Sequence, residues 1–408
     1  MKFSLVTISF FIFMLCVTHA LLLGQCPQPV PTKYEHIKPG KVVAAYFASW
    51  DKYGMYKVSD IEPIADTLTH VIYAFAKPNT ETGMCDLHDP WADVGANFEH
   101  RKKVGGHFGE FLQLKKKFPH LKILLSVGGG TYSKNFLEIA RQGLSRQFVD
   151  SAVQLLDSYE YEYEHTQQGS DHLHKFEYPE LFDGLDLDWE WPGTTIAPED
   201  SALFCEMVKL FYQALKKRSK KSIFTCSVQS QLKIIKSLNL SSIAKYVNWF
   251  HVMTYDFGGS FSPGVSFNAP ICNDSSPYSI DETMNALMNV DVSPDKLVLG
   301  IPLYGYVYDQ TEEKMGAKFE KTEKTGALTY ARIKELYLNN SVCKKRWHKK
   351  SYVPYAFCPH DDIFVSYDDA RSVAVKVLYA QTKKLQGVVF WRLSGDDKDH
   401  SLVKAAKI

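Results

Sequence analysis

Several things are scarce in this sequence, and each scarcity removes a class of protein. Charge of one sign is not in surplus: 47 Lys and Arg stand against 46 Asp and Glu, a formal charge of +1. A nucleic-acid binder needs a basic stripe, so no nucleic-acid partner is expected. The short runs Lys115–Lys117 and Lys216–Arg218 fall in helix-like stretches and read as solvated helix faces. No Cys-x-x-Cys pair occurs, which leaves no zinc site of the usual spacing; neither a metal nor a cofactor is expected. Beyond the first twenty residues no apolar run is long enough to cross a bilayer, and no membrane partner is expected. No Gly-rich phosphate loop follows the first strand-like run, where Ala45–Trp50 stands, which argues against an open dinucleotide-binding sheet.

Aromatic side chains, by contrast, are plentiful: 25 Phe, 23 Tyr and 7 Trp, 13% of the chain. Part of this fills a core, and Trp and Tyr also suit sites where the apolar face of a sugar ring lies on an aromatic plane. Residues 1–20 combine Lys2, an apolar run from Phe3 to Val17 and small residues at Thr18 and Ala20, the pattern of a secretory signal peptide. Residues 21–40 carry Pro27, Pro29, Pro31 and Pro39 and read as an extended lead-in. Cys16 would leave with the signal. Of the rest, Cys343 and Cys358 bracket a loop-like stretch and make the best disulfide pair, while Cys205 and Cys226 fall in helix- and strand-like patterns and read as buried thiols. Asn239, Asn273 and Asn339 head glycosylation triplets. A secreted, extracellular, monomeric glycoprotein is expected.

After residue 40, short apolar runs alternate with longer amphipathic ones. The strand candidates are Val42–Ala48, His70–Phe75, Lys122–Val127, Phe182–Asp188, Ile223–Val228, Trp249–Thr254, Leu297–Leu303 and Gly387–Trp391. Continuous apolar strands separated by helices imply a parallel sheet covered on both faces, and eight of them imply a closed α/β barrel of the (β/α)8, or TIM, type. Residues 41–306 and 368–408 are assigned to this barrel. The spacing is too long in two places. The polar, aromatic-rich stretch Tyr159–Glu180 reads as an insertion of unassigned role. Residues 307–367 are long enough for a small α+β domain between strand seven and helix seven.

The chemistry concentrates in Phe182-Asp183-Gly184-Leu185-Asp186-Leu187-Asp188-Trp189-Glu190. Side chains alternate along a strand, so Asp186, Asp188 and Glu190 share one face and Leu185 and Leu187 the other. Burying three adjacent carboxyls is expensive unless they share protons and hydrogen bonds. Close like charges raise at least one pKa, which keeps a carboxylic acid protonated near neutrality and able to donate to a leaving oxygen. Glu190, last in the row and nearest the open end, is the acid. Asp188 can hydrogen-bond Glu190 and a substrate group, and Asp186 lies deeper. Asp183 is out of phase and is expected to make a structural hydrogen bond.

Asp183-Gly-Leu-Asp186-Leu-Asp188-Trp-Glu190 resembles the DGxDxDxE signature of glycoside hydrolase family 18. Ser126-Val-Gly128-Gly129 is similar to that family's SxGG, Met253-Thr-Tyr255-Asp256 to its MxYD, and Gly300-Ile-Pro302-Leu-Tyr304-Gly305 to its strand-seven motif, while Trp391 stands where the family ends strand eight in Trp. The resemblance covers roughly residues 41–401 and implies that residues 307–367 are the family's chitinase insertion domain. It implies a retaining, substrate-assisted reaction, the exception to the two-carboxylate scheme. Glu190 would protonate the glycosidic oxygen, the sugar's own acetamido carbonyl would attack the anomeric carbon, and Asp188 and Tyr255 would hold the acetamido group. The substrate would be chitin or N-acetylglucosamine oligosaccharides, cut endo or in mixed fashion. Trp391 would floor the cleaving sugar. Met253 would shape the pocket or fill core, and Asp256 would touch the sugar or cap a helix. Gly128 and Gly129 would turn the backbone beside the site or merely make a turn. Tyr46, Trp50 and Phe75 would line the cleft or pack in the core. Tyr304 belongs to the substrate-binding set.

The pattern departs at Gly130, where the family often has Trp, and at Tyr306, where Arg is common. Strand five ends Ser227-Val-Gln229 where small residues or Pro are frequent. Two alternatives share the fold: an endo-β-N-acetylglucosaminidase acting on N-glycans, and a chitin-binding lectin, which would typically lack the acid.

Overall fold

The computed structural model describes residues 42–407, apart from residue 55 and residues 96–103, 165–170, 191–197 and 273–277. The expected signal segment 1–20, the lead-in 21–40, Cys16, Cys26 and the Asn273 triplet lie outside the described residues.

All eight strand-like runs become barrel strands: β1 (Val42–Ala48), β2 (His70–Pro78), β3 (Lys122–Gly128), β4 (Gly184–Asp188), β5 (Ile223–Gln229), β6 (Trp249–Met253), β7 (Leu297–Pro302) and β8 (Gly387–Trp391). Each pairs in parallel with the next, and β1 pairs with both β2 and β8, which closes the ring. Nearly every strand residue is buried, as a parallel sheet covered on both faces requires. The (β/α)8 barrel read from the sequence is the observed fold.

Two apolar layers hold it. Inside the ring, Val42, Ala44, Ile72, Ala74, Leu124, Trp249, Val298 and Val389 form one packed cluster. Outside it, much of the phenylalanine goes into a shell of edge-to-face pairs, such as Phe148 with Phe136 at 5.6 Å and with Phe211 at 5.9 Å. Each such ring, fully buried, contributes about 1.5–3 kcal/mol. Helix starts are set locally. Ser279 accepts the Glu282 N–H ahead of helix Ile280–Asn289. Asp369 and Ser372 exchange side-chain and backbone hydrogen bonds at 2.8 and 2.9 Å to open helix Ala370–Thr382.

The two overlong stretches have structure of their own. Strands Ser158–Glu164 and Asp171–Glu177 pair antiparallel as a hairpin. Tyr304–Tyr308, Gly326–Thr329, Lys344–His348, Val353–Cys358 and Ile363–Ser366 form a five-stranded antiparallel sheet, which begins earlier than residue 307. Its apolar cluster joins Tyr306, Tyr308, Val353, Phe357 and Phe364 to Val265 and Phe267 from the loop after β6. The Cys343–Cys358 disulfide read from the sequence ties this sheet, with Cα atoms 4.1 Å apart. Cys272 is also disulfide-bonded, and Cys85, Cys205 and Cys226 are free thiols, with Cys85 and Cys226 buried. Among the described residues no helix is long and apolar enough to cross a membrane.

Leu187 is fully buried on the outward face of β4. Leu187→Ala should lower the unfolding free energy by about 2–5 kcal/mol, read from the denaturant midpoint. A midpoint equal to the parent's would mean that the outward face of β4 is not packed.

Candidate active site

The row of acids lies at the C-terminal end of β4, the end at which such barrels place their chemistry. Asp186 is fully buried and surrounded by donors from four other strands. Its Oδ2 accepts from Tyr46 (β1) at 2.9 Å and Ser126 (β3) at 2.8 Å. Its Oδ1 accepts from Thr225 (β5) at 2.6 Å and lies 3.1 Å from Nδ1 of His251 (β6). Burial pushes this carboxyl up, but His251 and the hydroxyls of Thr225 and Ser126 outweigh burial and hold it below the ordinary range. Asp186 is therefore an anion with its acceptor capacity filled.

That fixed charge sets the next group. Asp188 is 3% exposed, and burial, Glu190 and Asp186 together push it far above an ordinary carboxyl. Its Oδ1 is buried without a hydrogen-bond partner. A hydrogen bond joins Asp188 and Glu190, so the two carboxyls share a proton. Glu190 is pushed up to about 7, first by burial and then by the charge of Asp256, against the Gly130 N–H and Asp188. The strand end is held by the loop after β3. Gly129 N–H donates to Asp188 O at 2.8 Å, and Glu190 N–H donates to Ser133 Oγ at 2.6 Å. Gly128 and Gly129 have φ of 116° and 78°. A Cβ on Gly128 would sit 2.2 Å from Asp188 O, and one on Gly129 would sit 2.6 Å from the Phe75 ring. Both glycines are needed for this close approach.

A cavity of about 480 Å³ opens over the acids. Tyr46, Asp188, Glu190, Met253, Tyr255, Asp256, Tyr304 and Trp391 line it, together with Ser227, Gln229, His251, Phe257, Phe261 and Tyr278. Burial and the carboxyls of Asp188 and Glu190 push the Tyr255 hydroxyl up, so it stays a donor. Asp256 caps no helix. It has φ of 57°, its N–H donates to Asn268 Oδ1 at 2.8 Å, and its Oδ1 accepts from Tyr304 at 2.5 Å and Tyr306 at 2.8 Å. Trp391 meets Tyr46 edge-on at 5.1 Å and stacks on Phe75 at 5.9 Å. Phe75 and Trp50 are not among the residues lining this cavity. Phe75 backs Trp391, and Trp50 packs on Phe75 at 6.0 Å. Asp183 takes Lys115 at 2.8 Å, Lys122 at 3.2 Å and the Ile123 N–H at 2.9 Å, a structural knot apart from the acids.

Sequence reasoning did not single out Thr225, His251, Asn268, Phe261 or Tyr278. Two of these had a signal: Thr225-x-Ser227-x-Gln229 and Trp249-x-His251-x-Met253 repeat the two-residue period of the acids. Asn268 had none, since it lies in a loop. Among the described residues no group of three or more His, Cys, Asp or Glu could hold a metal ion.

The fold and site together define a (β/α)8 barrel with a row of buried carboxyls beneath a cavity at its C-terminal mouth. The model of the glycosyl hydrolases family 18 matches residues 42–396, and the chain belongs to that family. It is 29% identical to Chitinase A1 of Niallia circulans over 87% of this chain and 56% of that protein, so it spans little more than half of that relative. It is also 29% identical to Probable chitinase 2 of Drosophila melanogaster, over 88% and 72%. Chitinase ChiA74 from Bacillus thuringiensis superposes with a TM-score of 0.76 at 27% identity, covering 90% of this chain and 70% of that one. The Group IV chitinase of Ostrinia furnacalis, solved in complex with allosamidin, superposes at 0.74 with 26% identity, covering 90% and 97%.

The position of Glu190 predicts a pH-dependent stability. An unfolded glutamate titrates near 4.5 and the folded one at about 7, so between these values the folded state binds more protons and stability falls as pH rises. Glu190→Gln removes that loss. Its melting temperature should exceed the parent's at pH 8 and match it at pH 4. A parent at least as stable as the variant at pH 8 would contradict the raised value.

Proposed function

We propose that the chain is a secreted chitinase that hydrolyses β-1,4 linkages between N-acetylglucosamine units with retention of configuration. The observation that carries this reading is the pairing of Asp188, buried with a free Oδ1, with a Glu190 that titrates at about 7 beneath an open cavity. An unpaired buried acceptor is costly, and an acetamido N–H would satisfy it. The proton shared by Asp188 and Glu190 passes to Glu190, which donates it to the glycosidic oxygen as that bond breaks and leaves Asp188 a carboxylate. The acetamido carbonyl oxygen closes on the anomeric carbon, and Asp188 beside the N–H balances the oxazolinium charge. Tyr255 donates to the same acetamido group, and Trp391 lies under the ring. Glu190, now a carboxylate, takes a proton from the water that opens the oxazolinium. Two inversions give retention, and an intramolecular nucleophile has an effective concentration on the order of 10⁵ M or more.

Other features support parts of this reading. Disulfides persist in oxidising compartments, so Cys343–Cys358 and the bonded Cys272 favour export, as does the pattern of residues 1–20. Asn239 and Asn339 are exposed and could carry glycans. The five-stranded sheet supplies Tyr304 and Tyr306, which hold Asp256 at the cavity wall, and this supports its assignment as the family's insertion domain. The presence of Glu190, Asp188 and Tyr255 speaks against a lectin.

Chitohexaose incubated with the parent should release short oligomers as the β-anomer. Glu190→Gln should cut kcat by about 10²–10⁴-fold with binding retained. A fully deacetylated oligomer should not be cleaved, because it lacks the nucleophile. Equal turnover by parent and variant would overturn the assignment of the acid. Cleavage of an N-glycan core in place of chitohexaose would move the substrate to that class.

A further inference from the structure

Trp249 opens β6 inside the barrel, packed with Val42, Ile72, Leu124 and Val298, and is 6% exposed. An indole N–H can only donate, and a buried one needs an acceptor. Its Nε1 lies 2.9 Å from Nε2 of His251, which is two residues on, along the same strand face, and 1% exposed. The other ring nitrogen, Nδ1, lies 3.1 Å from Asp186 Oδ1 and 3.3 Å from the Tyr46 hydroxyl. Because Trp249 donates to Nε2, that nitrogen presents its lone pair, and the ring proton sits on Nδ1, directed at Asp186. A proton on Nε2 would set two N–H groups head-on in a buried site.

We propose that Trp249 is a positioning residue that fixes His251 as its Nδ1–H tautomer, so that an N–H rather than a lone pair faces Asp186. The other groups that face His251 agree with this arrangement. Asp186 and Asp188 come from β4 and Tyr46 from β1. His70, from β2, lies on the far side of Trp249, with rings 5.1 Å apart. Thr225 and Ser227 on β5 do not titrate, and β7 and β8 contribute Val298, Val389 and Trp391 to the interior. Asp186 is thus the one full charge against the ring, already saturated by three hydroxyls, and its field on Asp188 is left uncancelled. A cation at His251 would cancel part of that field and release the proton of the Asp188–Glu190 pair at lower pH.

The kinetic half of the test rests on the chitinase reading; the spectroscopic half does not. In protein labelled with ¹⁵N-histidine, the His251 signal is the one lost in His251→Asn. In the parent it should show a protonated Nδ1 and an unprotonated Nε2 across the active pH range. Trp249→Phe keeps a ring but removes the N–H, and His251 should then take up a second proton on acidification. The alkaline limb of kcat/KM on chitohexaose should move down by about 1 pH unit. Adding His251→Asn to that variant keeps an amide donor near Asp186 but no titrating ring, and the limb should return to the parent's position. A parent spectrum with Nε2 protonated overturns the proposal, and it does so even where Trp249→Phe fails to fold. An unchanged limb in Trp249→Phe, or an equal shift in the single and double variants, overturns it as well. A parent that leaves chitohexaose intact while showing the Nδ1–H signal would sink the chitinase reading alone.

Discussion

A single buried carboxylate organises the upper half of the barrel. Asp186 has no contact with water, yet its donors come from β1, β3, β5 and β6. A carboxylate in that position is tolerable only if every lone pair is met, which fixes the rotamers of Tyr46, Ser126, Thr225 and His251 at once. Its charge adds to burial and to Glu190 in pushing Asp188 up, and the Asp188–Glu190 pair in turn sits beside Asp256. The acid at the mouth is tuned from below by a group that never meets the cavity.

Around this column the barrel is divided by polarity. Trp249 is the boundary. Beside it the interior is apolar apart from the His70 ring; above it hydroxyl, carboxyl and imidazole groups join the apolar Val389 and Trp391. The cavity walls come from outside the strands. The tight glycine turn after β3 ties down the end of β4, and the five-stranded sheet reaches over to hold Asp256 through Tyr304 and Tyr306. Asn268 joins the two systems: its backbone N–H meets Ser366 Oγ in the sheet while its side chain accepts the Asp256 N–H. Tyr306 donates a hydrogen bond to Asp256 and leaves its charge to act on Glu190.

What the sequence determined by itself was whatever is periodic. Eight apolar runs gave eight strands, and the alternation of Asp with Leu put Asp186, Asp188 and Glu190 on one face, because a strand has a strict period of two. The same period ran through Thr225, Ser227 and His251, but single polar residues on an apolar strand are silent until their partners are known. Tertiary structure alone decided the rest. It chose Tyr46 to join the Asp186 network, turned Phe75 and Trp50 behind Trp391 rather than into the cavity, and gave the Asp256 carboxyl to Tyr304 and Tyr306 with no helix following it. It also pushed Asp186 down and Asp188 and Glu190 up, since a pKa depends on burial and on charges brought together from distant strands. Contacts between residues far apart in the chain leave no local pattern, so those roles became visible only when the barrel closed.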